Sequence, residues 1–289
     1  MTRDYKRIIR DYRDWLSQSD MMAARKFAQL QGSLNDESFD SLLLASTSLP
    51  FLSIFYGSKG LIAIEDGLVE DGAICRSLLY RFWEVRIRVA SATKRSFLNS
   101  QVPGGSLSIL IPNIACLVFA FVALGDRGRV ELMLDALRVV LGDESSKNAH
   151  LDHHAANFAV WLGERYLQEE HLIVLHSPDR EESFGVYSDV IQAWGTSGVV
   201  ELIPSLLKYH YANTDDDGRG RIPGFKWPPF DAIPFEVVAI VRLNSLRGID
   251  FSPVQNEVGQ HLMMLDTAVP DVADLYLDRI EEKFGSFFS

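Results

Sequence analysis

Residues 150–154, His-Leu-Asp-His-His, form the densest group of potential metal ligands in the sequence. The imidazoles of His150, His153 and His154 and the carboxylate of Asp152 can bind transition metals, and a helix would place His150 on one face with His153 or His154. Zinc hydrolases of this helical type carry a glutamate directly after the first histidine, and that glutamate is missing here. Asp152 also stands at a predicted helix start, where a carboxylate stabilises the positive helix end. We therefore favour a helix start with surface histidines, with a metal-dependent α-helical enzyme as the alternative.

A second candidate is the stretch 213–218, Asn-Thr-Asp-Asp-Asp-Gly, which matches the opening of a calcium-binding loop. The match fails further along the chain. The twelfth position, where such loops carry a bidentate glutamate, is Gly224, and the usually apolar eighth position is Gly220. The sequence therefore predicts an acidic turn rather than a calcium site.

This turn belongs to the longest irregular stretch, residues 213–232, which is rich in glycine, proline and aromatic residues. Loops on a rigid scaffold often carry function. We therefore predict that Asp215, Asp216 and Asp217, together with Trp227, contact a partner. The aromatic residues of the stretch are either partner anchors or tethers to the core: Phe225, Trp227 and Phe230.

The two cysteines of the sequence, Cys75 and Cys116, both lie within apolar helical patterns. We interpret them as small buried residues rather than as a disulfide framework or as nucleophiles. The sequence contains no Gly-x-Ser-x-Gly nucleophile motif and no glycine loop with phosphate-binding spacing. It therefore predicts no catalytic residue and no cofactor.

Apolar residues recur with helical rather than alternating spacing along almost the whole chain. Pro50, Gly67 and Gly72 are expected to interrupt the longest patterns, and the apolar run 171–176 is interpreted as a loop or short helix because a lone strand is unstable. The spacing predicts an all-α fold, a multi-helix bundle of ten or more helices packed as antiparallel hairpins, with no significant sheet. The predicted helices cover residues 4–17, 21–31, 38–55, 60–98, 127–141, 150–168, 183–195, 197–212, 234–247, 253–265 and 269–284, with a further helix around Pro112.

Residues 107–124 form the most apolar segment of the chain. A membrane-spanning helix needs about 20 apolar residues, whereas Pro112 interrupts this segment and leaves 13 residues from Pro112 to Leu124. We therefore predict a helix buried at the centre of a helical domain. The N-terminal residues are charged throughout and lack the apolar stretch of a secretory signal, which leads us to expect a cytoplasmic protein.

The formal net charge of −11 is unevenly distributed. Residues 1–145 contain 17 basic and 17 acidic residues, whereas residues 146–289 contain 11 basic and 22 acidic residues. This division predicts a charge-neutral N-terminal subdomain and an acidic C-terminal subdomain within one globular unit. An acidic surface argues against nucleic acid and anionic membranes as partners and is compatible with a basic protein partner. A homo-oligomer is also possible.

Residues 233–253 predict a helix that is apolar on nearly all faces, as an inner helix of a bundle is. Pro234 suits its first turn, and Glu236 near the third position complements the positive helix end rather than acting as a catalytic carboxylate. Gly248 fits the C-terminal stop. Glu236 and Arg247 are eleven residues apart and therefore share one stripe of the helix. We interpret Glu236, Arg247 and Gly248 as structural markers.

The stretch PFEVVAIVRLNSLRGID, residues 234–250, resembles the late helix of all-helical immunity proteins from bacterial polymorphic-toxin and type VI secretion systems, of the immunity protein 49 type. The stretch NFAVWLGERY, residues 157–166, is similar to part of the same proteins, and the two stretches cover about a tenth of the chain. The resemblance implies a non-enzymatic protein that binds and neutralises a cognate toxin. An acidic C-terminal half would suit a basic toxin domain. A helical scaffold or adaptor protein is a further alternative.

Overall fold

A computed structural model describes residues 5–36, 38–68, 72–93, 107–142, 154–167, 184–215, 223–259 and 272–288. Within these ranges the chain forms twelve α-helices of defined extent and no β-strand, which confirms the predicted all-α fold. The helices are α1 (Tyr5–Leu16), α2 (Asp20–Leu34), α3 (Phe39–Ser46), α4 (Leu49–Glu65), α5 (Ala73–Thr93), α6 (Ile111–Leu124), α7 (Arg127–Gly142), α8 (His154–Leu167), α9 (Ser188–Ala193), α10 (Gly198–Ala212), α11 (Phe235–Ser245) and α12 (Leu275–Phe288).

Short 3-10 helices at Leu107–Leu110 and Gly185–Tyr187 lead into α6 and α9, and a third lies at Ser252–Val254. The described part of the predicted helix 253–265 is helical over residues 255–259. The apolar run 171–176 and the predicted boundary at residues 145/146 lie outside the described residues. The same holds for five candidate site residues: His150, Asp152, His153, Asp216 and Asp217.

Two glycines divide the long pattern 60–98 as predicted. Gly67 has a φ of +67°, and its N–H donates to the Ile64 carbonyl at 3.0 Å where α4 ends. Gly72, with a φ of +82°, directly precedes α5. Glycine alone adopts this left-handed backbone freely. Pro50 lies in the first turn of α4, where its missing N–H is not needed, so the chain breaks just before this proline rather than at it.

α6 lies at the centre of the molecule, in contact with α5, α7, α8 and α11. Eleven of its 14 residues are buried, which confirms the predicted central helix. Near the C-terminal end of α6, the Ala123 carbonyl accepts a hydrogen bond from Arg242 of α11. Gly125, with a φ of +77°, ends α6. α6 therefore ties helices from both halves of the sequence into one packing arrangement.

Two stretches of the described residues are long and apolar enough to cross a membrane by length and composition: Phe39–Glu65 and Leu107–Leu124. The first contains α3 and α4, and 50% of its most apolar window is buried within the protein. The second contains α6, and 78% of its window is buried. A helix that is apolar on all sides and enclosed by other helices has the pattern expected of a bundle core.

The charge-neutral and acidic parts of the sequence share one hydrophobic core. Phe82 and Phe121 meet edge to face with ring centroids 5.8 Å apart. The ring contacts continue from Phe119 to Phe158 of α8 at 5.9 Å, and Phe158 stacks on Tyr187 at 4.3 Å. Aromatic packing of this kind gives α8 and α9 a defined position on α6.

Candidate functional site

A single tryptophan stands out from the turn that precedes α11, residues 223–234. Trp227 is 43% exposed, whereas every other residue from 223 to 241 is buried or half-buried. Its φ of +75° lies in the left-handed region, which is uncommon for a bulky residue and persists only where the surroundings enforce it. The Nζ of Lys226 lies 4.9 Å from the centroid of the indole ring. The backbone therefore directs this side chain toward solvent.

The residues on both sides of Trp227 hold the turn in the core. Phe225 and Phe230 are each 1% exposed, so they are core tethers rather than partner anchors. The Phe225 N–H donates to the Asn213 carbonyl at 3.1 Å, and the Phe230 N–H donates to the Trp227 carbonyl at 2.9 Å. These contacts hold the turn in the core and leave the indole as its most exposed side chain.

The turn packs against α4 at Gly57 of that helix. A Cβ built on Gly57 would stand 2.8 Å from the Pro228 carbonyl carbon and 2.9 Å from Ser77 Oγ, so the backbone of the turn packs directly on the backbone of α4. The Pro228–Pro229 peptide bond is cis. The Tyr211 hydroxyl of α10 donates to the Ala232 carbonyl at 3.3 Å. The turn thus contacts helices from both ends of the sequence.

The predicted acidic contact residues begin beside this turn. Asp215 is exposed and follows the buried Thr214, at 1% exposure. The Asn213 carbonyl accepts from the Phe225 N–H, so Asp215 lies two residues along the chain from a direct contact with the Trp227 turn. Asp216 and Asp217 lie outside the described residues.

Glu236 lies in the first turn of α11, as predicted, but its partner is a residue that the sequence analysis missed. Glu236 is 1% exposed, and its Oε1 lies 2.8 Å from Nδ1 of His210, which is fully buried on α10. His210 Nε2 has no hydrogen-bond partner among the described residues. Burying a carboxylate is unfavourable without a partner, so this pair couples α10 to α11.

Three further polar side chains extend the pair into a buried polar cluster, which we define as Tyr12, Cys116, His210, Asp231 and Glu236. The Tyr12 hydroxyl of α1 donates to the fully buried carboxylate of Asp231. The Cys116 thiol of α6 donates to the Gly224 carbonyl at 3.5 Å. Burial, and next the Glu236 carboxylate, raises the pKa of this thiol well above its usual value. A protonated thiol is a poor nucleophile, so we interpret the cluster as a cross-link that holds the turn to its neighbouring helices.

His154 is the member of the predicted metal cluster that the structure describes. It is the first residue of α8 and is half-buried, and a Cβ on Gly185 would collide with its ring. Close packing against the Gly185 backbone is thus one role of this side chain. In the parts of the chain that the structure describes, no group of three or more histidine, cysteine, aspartate or glutamate residues could hold a metal ion.

Arg247 is predicted to share a helix stripe with Glu236 but is not its partner, which is His210. Arg247 instead belongs to a second group of side chains, where α8, α9 and α11 meet. The Trp161 and Trp194 rings stand perpendicular with centroids 5.0 Å apart. The Arg165 guanidinium carbon lies 5.0 Å from the Trp161 ring centroid, and that of Arg247 lies 5.9 Å from the Trp194 ring centroid. Leu246, which precedes Arg247, is 84% exposed. We call these five residues the arginine–tryptophan patch.

Asn244 and two glycines fix the backbone beneath this patch. The Gly195 N–H donates to Asn244 Oδ1 at 3.0 Å, and Asn244 Nδ2 donates to the Ile240 carbonyl at 2.9 Å. Gly248 has a φ of +84°, and its N–H donates to the Ser245 carbonyl at 2.9 Å, which ends α11 as predicted. Through Trp194, which contacts both Trp161 and Arg247, the stretches 157–166 and 234–250 meet in space.

Comparisons of the chain with protein-family models, with curated proteins and with solved structures each find no match. The site is therefore defined by its own geometry. It consists of an exposed tryptophan on an anchored turn, with the exposed Asp215 two residues from the Asn213 carbonyl that binds this turn, and of a separate cationic and aromatic patch at the far end of α11.

Proposed function

We propose that the chain is an immunity protein, which binds a cognate bacterial toxin by direct contact and so neutralises it. The observation that carries the proposal is Trp227, 43% exposed on a turn whose other residues are buried or half-buried. Tryptophan is enriched at the hot spots of protein interfaces because its ring offers a large rigid apolar area and one N–H donor. The resemblance of residues 157–166 and 234–250 to immunity proteins supports the same class of function.

The turn suits a contact surface because it is ordered before a partner arrives. Hydrogen bonds at Phe225 and Phe230 and the close packing on Gly57 hold its backbone. A preordered anchor loses little conformational entropy on binding, so more of the contact energy becomes affinity. The left-handed backbone of Trp227 costs about 1–2 kcal/mol relative to a relaxed conformation. Residues held in such unfavourable backbone conformations cluster at functional sites, which supports a binding role for the Trp227 side chain.

Charge points to the chemistry of the partner. Residues 146–289 contain 22 acidic and 11 basic residues, and the run Asp215–Asp217 precedes the Trp227 turn in the sequence. An acidic surface accelerates encounter with a basic partner and disfavours acidic ones. A toxin domain that acts on nucleic acid or another anionic substrate in the cytoplasm would carry the complementary basic surface.

Coexpression with the product of an adjacent gene that poisons cells when expressed alone tests this function. We expect the chain to restore growth of the poisoned cells and to co-purify with the toxin domain. Trp227→Ala is expected to lose protection, whereas Met21→Ala, which truncates a side chain 85% exposed on α2, is expected to retain it.

Two results would overturn the proposal. One is full protection both by Trp227→Ala and by a second variant in which Asp215, Asp216 and Asp217 are asparagine. That result would exclude this surface as the toxin contact. The other is the failure of every neighbouring gene product to bind the chain. A stoichiometric transition metal in the purified protein, lost when His150 and His153 are replaced, would favour the metal-dependent enzyme instead.

A further inference from the structure

The arginines that the structure describes have several kinds of partner. Some lie against carboxylates, as Arg138 does with Asp135 at 2.9 Å, and others lie over aromatic rings, as Arg86 does. Arg165 and Arg247 are exposed and lie over indole rings, and neither forms a salt bridge with the residues that the structure describes. This occurs in the half of the sequence that holds 22 acidic residues. The patch thus carries two cationic groups that have no carboxylate partner among the described residues, although they belong to the acidic half of the sequence.

The geometry of the patch leaves its hydrogen-bond donors available. A guanidinium that lies over an aromatic ring uses its face for the cation–π contact, and its N–H groups point outward from its edge. Those donors match the two oxygens of a carboxylate in a bidentate arrangement. Arg165 lies over Trp161 and Arg247 lies over Trp194, and the two rings are in contact, so each ring of the apolar pair carries one such guanidinium.

The exposed apolar surface of the patch defines the rest of the ligand. Leu246, beside Arg247, is 84% exposed, and Trp161 and Trp194 are half-buried. A ligand with charge alone would leave these side chains in contact with water. A ligand with an apolar side chain between two acidic ones would cover both parts of the patch.

We propose that the arginine–tryptophan patch is a second docking surface, and that its occupant is an acidic protein segment with carboxylates on both sides of an apolar side chain. A long polyanion such as nucleic acid would also meet the formal net charge of −11 of the chain and be repelled. A short acidic segment brings its charges only to Arg165 and Arg247. This surface is independent of the proposed toxin contact, which lies at Trp227 and requires a basic partner.

The fold holds the patch in place before binding. Asn244 is fully buried and accepts from the Gly195 N–H at 3.0 Å, which sets the position of the adjacent Trp194. Gly195 has a φ of +78°, and a Cβ there would stand 3.3 Å from a terminal nitrogen of Arg247. The close passage of Arg247 over this glycine keeps the guanidinium near the Trp194 ring, so little ordering remains for the ligand to impose.

The probe is a blocked synthetic peptide, Glu-Glu-Leu-Phe-Glu-Glu, titrated into the full chain by calorimetry and tryptophan fluorescence at low salt. We expect a dissociation constant below about 1 mM, and we expect Arg165→Ala and Arg247→Ala each to weaken binding by about fivefold or more. The glutamine version of the peptide is expected to bind at least about tenfold more weakly, since it lacks charge-assisted hydrogen bonds.

A double variant on another surface provides the matched control. Arg10→Ala with Arg25→Ala removes two exposed arginines from α1 and α2, and its affinity for the peptide is expected to stay within about twofold of the wild type, as expected for distant rim charges. Absence of peptide binding, or equal weakening by this control, would overturn the proposal. Tighter binding of a ten-residue thymidine oligonucleotide than of the peptide would also overturn it, in favour of a nucleic acid ligand.

Discussion

Trp227 and Glu236 are separated by nine residues, yet their surroundings give them opposite roles. Trp227 presents its ring to solvent from a left-handed backbone, at 43% exposure. Glu236 is enclosed at 1% exposure and lies 2.8 Å from a fully buried histidine. At the residue scale we therefore expect changes at Trp227 to affect binding and changes at Glu236 to affect stability.

Replacing Trp227 by glycine separates a contact role from a packing role. Glycine adopts the φ of +75° without the penalty that other residues bear, so we expect Trp227→Gly to be more stable than Trp227→Ala by about 1 kcal/mol and no less stable than the wild type. Urea unfolding of the three proteins measures this difference. A large loss of stability in Trp227→Gly would show that the indole is instead a structural tether.

Glu236→Ala leaves His210 buried without the carboxylate that faces its Nδ1. We expect this variant to lose about 1–3 kcal/mol of unfolding free energy, because an unpaired buried polar group retains its desolvation penalty. Glu236→Gln keeps an oxygen acceptor of the same size and is expected to lose less. Urea unfolding at pH 7 distinguishes the two variants, and equal losses would indicate that the hydrogen bond to His210 contributes little.

Buried acids make the protein sensitive to alkali. Burial, with a smaller effect of neighbouring carboxylates, raises the pKa of Cys116 and of the Tyr80 hydroxyl. In the unfolded chain these groups ionise near their ordinary values of about 8.5 for cysteine and about 10 for tyrosine. The folded chain keeps protons that the unfolded chain releases, so unfolding becomes more favourable as pH rises.

The corresponding pH profile is a decline of the unfolding free energy above pH ~8.5, at up to about 1.4 kcal/mol per pH unit for each affected group. Cys116→Val is expected to reduce the decline between pH ~8.5 and ~10, where the unfolded cysteine is ionised and tyrosine is not. Urea unfolding across this range measures the profile. An identical decline in both proteins would contradict the assignment to Cys116.

At the scale of helices, the packing of the 223–234 turn on α4 depends on the absence of a side chain at Gly57. We expect Gly57→Ala to lose about 1–3 kcal/mol of unfolding free energy, because its Cβ would be forced against the backbone of Pro228, which cannot move aside cheaply. Gly32→Ala on α2, where nothing lies within 4 Å of the added atom, is the matched control. It is expected to raise stability by up to about 1 kcal/mol through helix propensity. Equal effects of both changes in thermal unfolding would contradict the close packing.

The helices themselves follow from local sequence patterns. The predicted helices 4–17 and 197–212 correspond to α1 (Tyr5–Leu16) and α10 (Gly198–Ala212). Apolar periodicity, and glycines such as Gly67 and Gly248 at helix ends, are properties of neighbouring residues, so they can be read without knowing the packing.

The site depends on pairings that no local pattern contains. Glu236 and His210 are 26 positions apart across an irregular stretch, and Tyr12 and Asp231 are 219 positions apart. Glu236 and His210 meet because α10 packs on α11, and Tyr12 reaches Asp231 because α1 and the 223–234 turn both pack on α4. The sequence singled out Trp227, but burial of its neighbours Phe225 and Phe230 is what distinguishes the anchor from the tethers.

At the scale of the whole molecule, the two surfaces have opposite chemistry. One includes the exposed side chains of Trp227 and Asp215, and the other combines two arginines with two tryptophans. The first lies on the turn that leads into α11, and the second lies at the C-terminal end of α11. α11 packs on the central α6. The arrangement suits a protein that contacts other molecules through fixed side chains on a rigid helical scaffold.

The most direct test is the affinity of the purified chain for an inactive form of the proposed toxin partner, measured by isothermal titration calorimetry. The candidate partner is the product of an adjacent gene that poisons cells when it is expressed alone. The immunity function predicts a 1:1 complex with a nanomolar dissociation constant, of order 10⁻⁹ M. It also predicts that Trp227→Gly weakens binding by about thirtyfold or more while remaining folded, as expected for a hot-spot side chain worth about 2 kcal/mol. Equal affinity of the two proteins, or no binding by the wild-type chain, would contradict the account.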